Sequence, residues 1–226
     1  MVKRRDKPDG TLFGERLPIE SELAASGIVL VCGVDEAGRG PLAGPVVAAA
    51  VMFRDCDLLW RARDSKVLSD GSREEYFASA QDELVYAVAS CTPNEIDELN
   101  ILRASLLAME KAVGGLPVAP ELTLVDGNRR LREVIPSRAI VHGDARVAVI
   151  SAASIIAKVT RDRLMREYDR QYPGYGFAQH FGYPTELHRR NLRQLGPCPI
   201  HRRSYRGVRE FFEEDTAAQA IGRQER

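Results

Sequence analysis

The sequence is short of cysteine and pairs none of what it has. Cys32, Cys56, Cys91 and Cys198 are the four in 226 residues, and none forms a CxxC pair. That excludes a disulfide framework and a zinc ribbon. Cys32 lies in an apolar run, as a reduced buried thiol does. Cys198 and His201 have ligand-like spacing, but two isolated ligands do not complete a zinc site. No apolar run approaches membrane-spanning length and no signal peptide is apparent, so the expected location is the cytoplasm. A charge excess is missing too: 32 Lys and Arg balance 32 Asp and Glu. Overall charge therefore announces no nucleic-acid partner, and only its distribution could. There is no GxSxG elbow, Walker A loop, HExxH or GxGxxG fingerprint, which removes the common nucleophile, nucleotide and zinc-protease readings. The four histidines, His142, His180, His188 and His201, read as surface or substrate-contact residues rather than members of a triad.

What is present begins at Val29-Leu30-Val31-Cys32-Gly33-Val34-Asp35-Glu36-Ala37-Gly38-Arg39-Gly40. A short apolar run, suited to a strand buried on both faces, stops at two adjacent carboxylates and a Gly-Arg-Gly turn. Asp and Glu are poor strand residues, so the pair belongs at the strand's carboxyl end, where open α/β sheets place their sites. Burying two such carboxylates unpaired is costly, and a divalent cation is the usual remedy. Gly38 and Gly40 lack a Cβ and let backbone N–H groups approach a ligand.

Along the chain, Pro45 to Phe53 reads as a second central strand, antiparallel to the first through the Gly/Pro turn. Ser72 and Glu75 have capping-box spacing and open a helix to about Leu84, after which Leu84 to Ser90 reads as a third strand. Thr92-Pro93-Asn94-Glu95 starts a helix whose Ile96, Leu99, Leu102, Leu106, Leu107 and Met109 form a core-facing stripe. Asn100 is placed to divide it, and Gly114-Gly115 ends it. Leu122 to Asn128 repeats the opening theme of an apolar strand, a carboxylate (Asp126) and a glycine. Arg138 to Asp144 does so more briefly. Val147 to about Tyr168 is helical. Beyond Pro173 comes an aromatic and glycine loop with Tyr172, Tyr175, Phe177, Phe181 and Tyr183, then a helix capped by Thr185. The last third is rich in arginine, including Arg189, Arg190, Arg193, Arg202, Arg203, Arg206 and Arg209, a candidate phosphate-neutralising surface. The expected fold is α/β, a mixed sheet flanked by helices whose first three strands form an antiparallel meander.

Three predicted strand ends thus bear acids: Asp35-Glu36, Asp126 and Asp144. If the strands are neighbours, four carboxylates converge at one sheet edge and suit hard cations such as Mg²⁺ or Mn²⁺. Two such ions about 4 Å apart activate a water and stabilise the leaving oxygen of an in-line phosphoryl displacement.

Gly33 to Val47 resembles the signature of bacterial ribonuclease HII, a family that cuts RNA in RNA/DNA hybrids and at ribonucleotides embedded in DNA. Further motifs follow in order: Asp64-Ser65-Lys66, Val125-Asp126-Gly127, Gly143-Asp144, Ser151 to Asp162, Gly174-Tyr175-Gly176-Phe177, Gly182-Tyr183-Pro184-Thr185 and His201-Arg202-Arg203-Ser204-Tyr205. The resemblance spans nearly all of Val29 to Val208. It implies a ribonuclease H-like fold with a helical C-terminal portion from about residue 173 that helps hold the duplex. Residues 1–28 are then a short extension, 29–212 the catalytic domain and 213–226 an acidic, loose tail.

By the same resemblance, Asp35, Glu36, Asp126 and Asp144 match the metal-binding catalytic carboxylates. Gly38-Arg39-Gly40 matches the turn whose backbone senses the ribose 2′-OH. Tyr183 matches the tyrosine packed on the next sugar, and Lys66 and Lys158 match basic residues near the site. Asp162 reads as the ion-pair partner of Lys158 rather than as a metal ligand. The chain departs from the family at His142 and Phe181, where lysine is frequent. The implied activity is endonucleolytic cleavage 5′ of a ribonucleotide with two ions; the oligomeric state is left open by the sequence, with a monomer as the default expectation. The implied partners are RNA/DNA hybrid and ribonucleotide-containing duplex, with no membrane. A catalytically silent hybrid-binding protein on the same scaffold is the alternative. Tyr205 to Phe212 resembles a sliding-clamp-binding peptide, with Tyr205 in place of its opening glutamine.

Overall fold

The computed structural model describes residues 19, 23, 26–62 and 69–213. Lys66, with Asp64 and Ser65, lies outside them, as do most of the N-terminal extension and all but the first residue of the acidic tail. Among the described residues a five-stranded sheet runs in the order β3, β2, β1, β4, β5. β1 (Val31–Ala37) pairs antiparallel with β2 (Val46–Met52), Gly33 facing Val51, and β2 pairs antiparallel with β3 (Tyr86–Cys91). This is the predicted meander. On its other side β1 pairs parallel with β4 (Leu122–Asp126), and β4 with β5 (Ser137–Ile140). β2 is buried along its whole length and β1 along its first five residues. Their sequences are accordingly near-continuous apolar runs, not alternating ones.

Helices α1 (Asp57–Arg61) and α2 (Asp70–Glu83) follow β2. α2 starts earlier than the Ser72–Glu75 spacing predicts. Ser69 is its cap: its backbone is extended, and its side chain accepts from the Ser72 N–H at 3.2 Å. α3 (Pro93–Leu99) has the predicted capping box, with Glu95 N–H donating to Thr92 Oγ1 and Thr92 N–H to the Glu95 carboxylate. α4 (Ile101–Gly114) begins where Asn100, at φ 66°, breaks the run and caps the new helix through Arg103 N–H. That break resets the helical phase. The buried face of α4 carries Ala104, Ala108, Met109 and Ala112, while Leu102 of the predicted stripe is exposed.

α5 (Ala148–Gln171) is the longest helix and lies across one face of the sheet. Val31, Leu124, Ile150 and Ile156 share that core, whereas Cys32, Val34, Val125, Ala104 and Ala108 share the core on the α4 side. Gly33 lets α5 sit directly on β1: a Cβ there would lie 2.5 Å from the Val149 carbonyl carbon. The predicted aromatic loop contains a single turn, α6 (Phe177–His180), before α7 (Glu186–Leu195), which Thr185 caps as predicted. Tyr175 and Phe177 are buried with Met165 and Ile200, so these aromatics build a small core of their own. No helix of the described residues is long and apolar enough to cross a membrane. Burial pushes the Cys32 thiol up to about 11, as a reduced core thiol.

Candidate active site

β1 and β4 are parallel neighbours with Val34 facing Val125, so Asp35 and Asp126 are side by side at their carboxyl ends. Strand parity puts both on the face covered by α5, because Val31 and Leu124 lie there. Glu36 follows Asp35 and lines a cleft together with Asp144, Ser154, Lys158, Tyr183 and the Gly38–Gly40 turn. Asp144 does not end a strand, as its sequence pattern predicts. β5 stops at Ile140, and His142 at φ 56° turns the chain into a single 3₁₀ turn, Gly143–Ala145. The Asp144 N–H then donates to Asp126 Oδ1 at 3.1 Å. Asp35, Glu36 and Asp126 thus stand at adjoining strand ends, and the backbone of Asp144 is tied to Asp126 by one turn.

Their electrostatics are those of a crowded acid cluster. Burial holds the Asp35 carboxyl well above the usual range, and the Glu36 and Asp126 charges add to the rise. The Ser154 side chain and the Glu36 amide, which donates to Asp35 Oδ1 at 2.7 Å, oppose it. Burial also raises Glu36, against the Arg39 guanidinium 3.2 Å away. Among the described residues no three His, Cys, Asp or Glu side chains stand in ready ligating array. Instead Asp35, Glu36 and Asp126 accept from protein donors. The donor set consists of hard oxygens whose mutual repulsion a divalent cation relieves, so the residues fit such an ion.

The Gly-Arg-Gly turn is held from beneath. Gly38 has φ +99°, and none of the Gly38, Arg39 or Gly40 amides donates to an acceptor among the described residues. Arg161 and Arg202 are buried below it, which corrects the reading of Arg202 as phosphate-neutralising surface. Arg161 donates to the carbonyls of Pro45, Phe181 and Ala43 at 3.0–3.1 Å. Burial, and then the Arg202 charge, lower it to about 10. Tyr183 is 42% exposed on the cleft rim, with its ring edge over Gly40. Lys158 lines the cleft and pairs with Asp162, the predicted i,i+4 partner; its ammonium also lies 4.7 Å from the Phe181 ring centroid.

His180, His188 and His201 are buried, contrary to their sequence reading as surface or substrate-contact residues. His180 Nδ1 accepts from the Gly182 N–H at 3.2 Å, so its Nε2–H donates to the Tyr175 carbonyl at 2.9 Å. His188 Nδ1–H donates to the Tyr183 carbonyl at 3.0 Å, and its Nε2 accepts from His201 Nε2–H at 3.1 Å. His201 Nδ1 then accepts from the Cys198 N–H. Each ring is thereby fixed as a neutral tautomer, and together they grip both sides of Tyr183. Burial pushes His188 and His201 down to about 4. Because the unfolded chain takes up protons near pH 6.5 and the folded chain near 4, stability falls as pH drops through that interval. A series of melting temperatures should show the loss beginning above pH 4.5, before ordinary carboxylates titrate. His188→Gln should flatten that limb, and an unchanged slope would sink the assignment.

The buried arginines and histidines were not legible as a group in the sequence. The nearest signal is the clustering of Gly174–Thr185 with His201-Arg202, which marks a packed unit without saying which side chains face inward.

The ribonuclease HII family model matches residues 32–208 of this chain. A ribonuclease HII of Burkholderia mallei (strain SAVP1) is 55% identical over 189 residues, 81% of this chain and 86% of that protein. Among solved structures, ribonuclease H2 from Pyrococcus horikoshii OT3 superposes with a TM-score of 0.69 at 32% identity, over 82% of this chain and 98% of that one. An RNase HII of Archaeoglobus fulgidus, solved as a complex with PCNA, superposes at 0.67 with 27% identity, over 78% of this chain and 95% of that one. With the mixed sheet and clustered acids already in place, these likenesses settle the class: the chain belongs to the ribonuclease HII family and is a nuclease.

Proposed function

We propose that this ribonuclease hydrolyses the RNA strand of RNA/DNA hybrids and cuts on the 5′ side of ribonucleotides embedded in duplex DNA, leaving 3′-OH and 5′-phosphate ends. One observation carries the reading. Glu36 and Asp144, next to the strand-end aspartates Asp35 and Asp126, line a cleft with a turn whose amides have no acceptor among the described residues. Asp35, Glu36, Asp126 and Asp144 would hold two Mg²⁺ or Mn²⁺ ions. Such a pair neutralises the scissile phosphate and makes water acidic enough to attack at neutral pH.

The rest is done by the chain. The Arg39 and Gly40 amides donate to the ribose 2′-OH, which DNA lacks. Tyr183 stacks on the sugar of the following nucleotide and reads the RNA-to-DNA junction. Lys158, kept in place by Asp162, supplies positive charge toward the phosphates. Lys66 is assigned a similar phosphate contact on its sequence motif alone. All four carboxylates come from one chain, which fits a monomer acting on cytoplasmic nucleic acid. The candidate sliding-clamp contact is the segment Tyr205 to Phe212, whose Phe211 and Phe212 are only partly buried. The Tyr205 hydroxyl donates to the Arg39 carbonyl at 2.8 Å, and Phe211 and Phe212 pack beside Leu42, Leu192 and Val208. The segment packs against the body with one side and leaves Arg206 and Arg209 exposed.

The test is cleavage of a DNA duplex with one ribonucleotide, with and without Mg²⁺ or Mn²⁺, followed by analysis of the product ends. Metal-dependent incision 5′ of the ribonucleotide is expected. Tight binding with no incision would instead support the silent hybrid-binding reading. Tyr183→Ala should cut the single-ribonucleotide substrate about tenfold more slowly, the worth of one stacking contact of about 1–3 kcal/mol, with the metal concentration for half-maximal rate little changed. An undiminished rate on that substrate removes Tyr183 from its role.

A further inference from the structure

Arg202 is fully buried, and its five N–H donors meet five acceptors. Nε donates to the Gly44 carbonyl at 3.0 Å. Nη1 donates to the Arg39 carbonyl and the Tyr205 hydroxyl, both at 3.0 Å. Nη2 donates to the carbonyls of Gly38 at 2.6 Å and Pro45 at 3.3 Å. Tyr205 adds a second donor to the Arg39 carbonyl. No carboxylate of the described residues pairs with Arg202; its partners are peptide oxygens and one phenol.

The orientation of the turn follows from peptide geometry. In a trans peptide the carbonyl and the next N–H lie in one plane and point opposite ways. Drawing the Gly38 carbonyl down onto Arg202 therefore turns the Arg39 N–H upward. Drawing the Arg39 carbonyl onto Arg202 and Tyr205 does the same for the Gly40 N–H. Those two amides have no acceptor among the described residues. Arg39 and Gly40 are exposed, whereas the carbonyl side of the turn is buried against the two arginines. Only glycine fits at position 38, since its φ is +99° and a Cβ there would meet Arg161 Nε at 2.1 Å.

We infer that Arg202, assisted by Tyr205, is a specificity-determining positioning residue. It fixes the peptide planes between Gly38 and Gly40 so that their amides select a ribose hydroxyl over a deoxyribose. This rests on the proposed reading of the turn as the 2′-OH sensor. A staple that merely holds the C-terminal segment would weaken all duplex binding alike, whereas a positioning residue alters the preference between sugars.

The measurement is the ratio of dissociation constants of the full-length protein, in EDTA, for two duplexes: one all-deoxy, and one of the same sequence with a single ribonucleotide. Wild type should favour the ribonucleotide. Tyr205→Phe, which keeps the ring and removes one donor to the Arg39 carbonyl, should narrow the ratio about threefold. Arg202→Lys, with three donors for five acceptors, should narrow it about tenfold, the effect of one misplaced hydrogen bond. In both, all-deoxy affinity should stay within about a factor of two. If both affinities fall together and the ratio holds, Arg202 is only a staple and the inference is overturned. If Arg202→Lys does not fold, Tyr205→Phe decides alone, and an unchanged ratio overturns the inference. A wild type without preference refutes the reading of the turn itself, before any variant is compared.

Discussion

Asp35→Asn should abolish cleavage and at the same time raise the melting temperature of the metal-free protein. Asp35 is 5% exposed, and burial, Glu36 and Asp126 all act against its charged form. In water the unfolded chain ionises it freely, so at neutral pH the folded state carries an electrostatic penalty that asparagine removes. The asparagine oxygen still accepts from the Glu36 N–H, so local geometry is kept. A gain of a few degrees is expected, since 1 kcal/mol shifts a chain of this size by about 2–4 °C. The activity loss should be at least about a thousandfold, as removal of a charge that neutralises a phosphoryl transition state implies. Mg²⁺ should raise the melting temperature of wild type and leave Asp35→Asn nearly unmoved. Asp126→Asn should lose activity as steeply: its retained oxygen can still accept from the Asp144 N–H, so the loss reflects the missing charge and not a displaced turn. A variant at Asp35 that is less stable and still cuts would show that the cluster is not a strained cation site.

This trade of stability for function is the part of the molecule that the sequence displayed most openly. A strand buried on both faces has to be apolar, so the two acids closing β1 stood out against it, and Asp126 did the same on β4. Local pattern also showed the antiparallel partner of β1 and the cap of α3. It failed where the deciding contact is remote. Asp144 looked like another strand end, but its position is set by a hydrogen bond to Asp126, which no periodicity encodes. Arg202 looked like part of a basic surface because sequence shows its charge and not its four carbonyl acceptors, which lie more than 150 residues away. The three buried histidines have partners close in sequence, and what the pattern does not show is their burial. Ser69 and Ser72 both fit a helix start in sequence, and only the backbone conformation distinguishes a cap from an N3 residue. The leucine stripe beginning at Ile96 assumed one helical phase, and Asn100 supplies two.

Gly33→Ala is expected to unfold the protein or lower its melting temperature by more than about 10 °C. The added Cβ would lie 2.5 Å from the carbonyl carbon of Val149 and 2.6 Å from the nitrogen of Ile150. Both are backbone atoms of α5, so no side-chain rotation relieves the clash. Relief requires lifting the first turns of the helix from β1, in a region where Val34, Val149 and Ile150 are fully buried. Ordinary overpacking costs about 1–3 kcal/mol when side chains can give, and here they cannot. The same displacement carries Ser154 and Lys158 away from Asp35, so any folded fraction should also cut slowly. Gly114→Ala is the matched control: it lies at the end of α4 with no atom within 4 Å of the new methyl and no left-handed backbone angle. It should be neutral or stabilise by about 0.5–1 kcal/mol, as alanine does over glycine in a helix. Equal melting temperatures for the two variants would mean that α5 does not rest on the backbone of β1. The acids at the end of β1 would then lack the rigid support from which their crowding is argued.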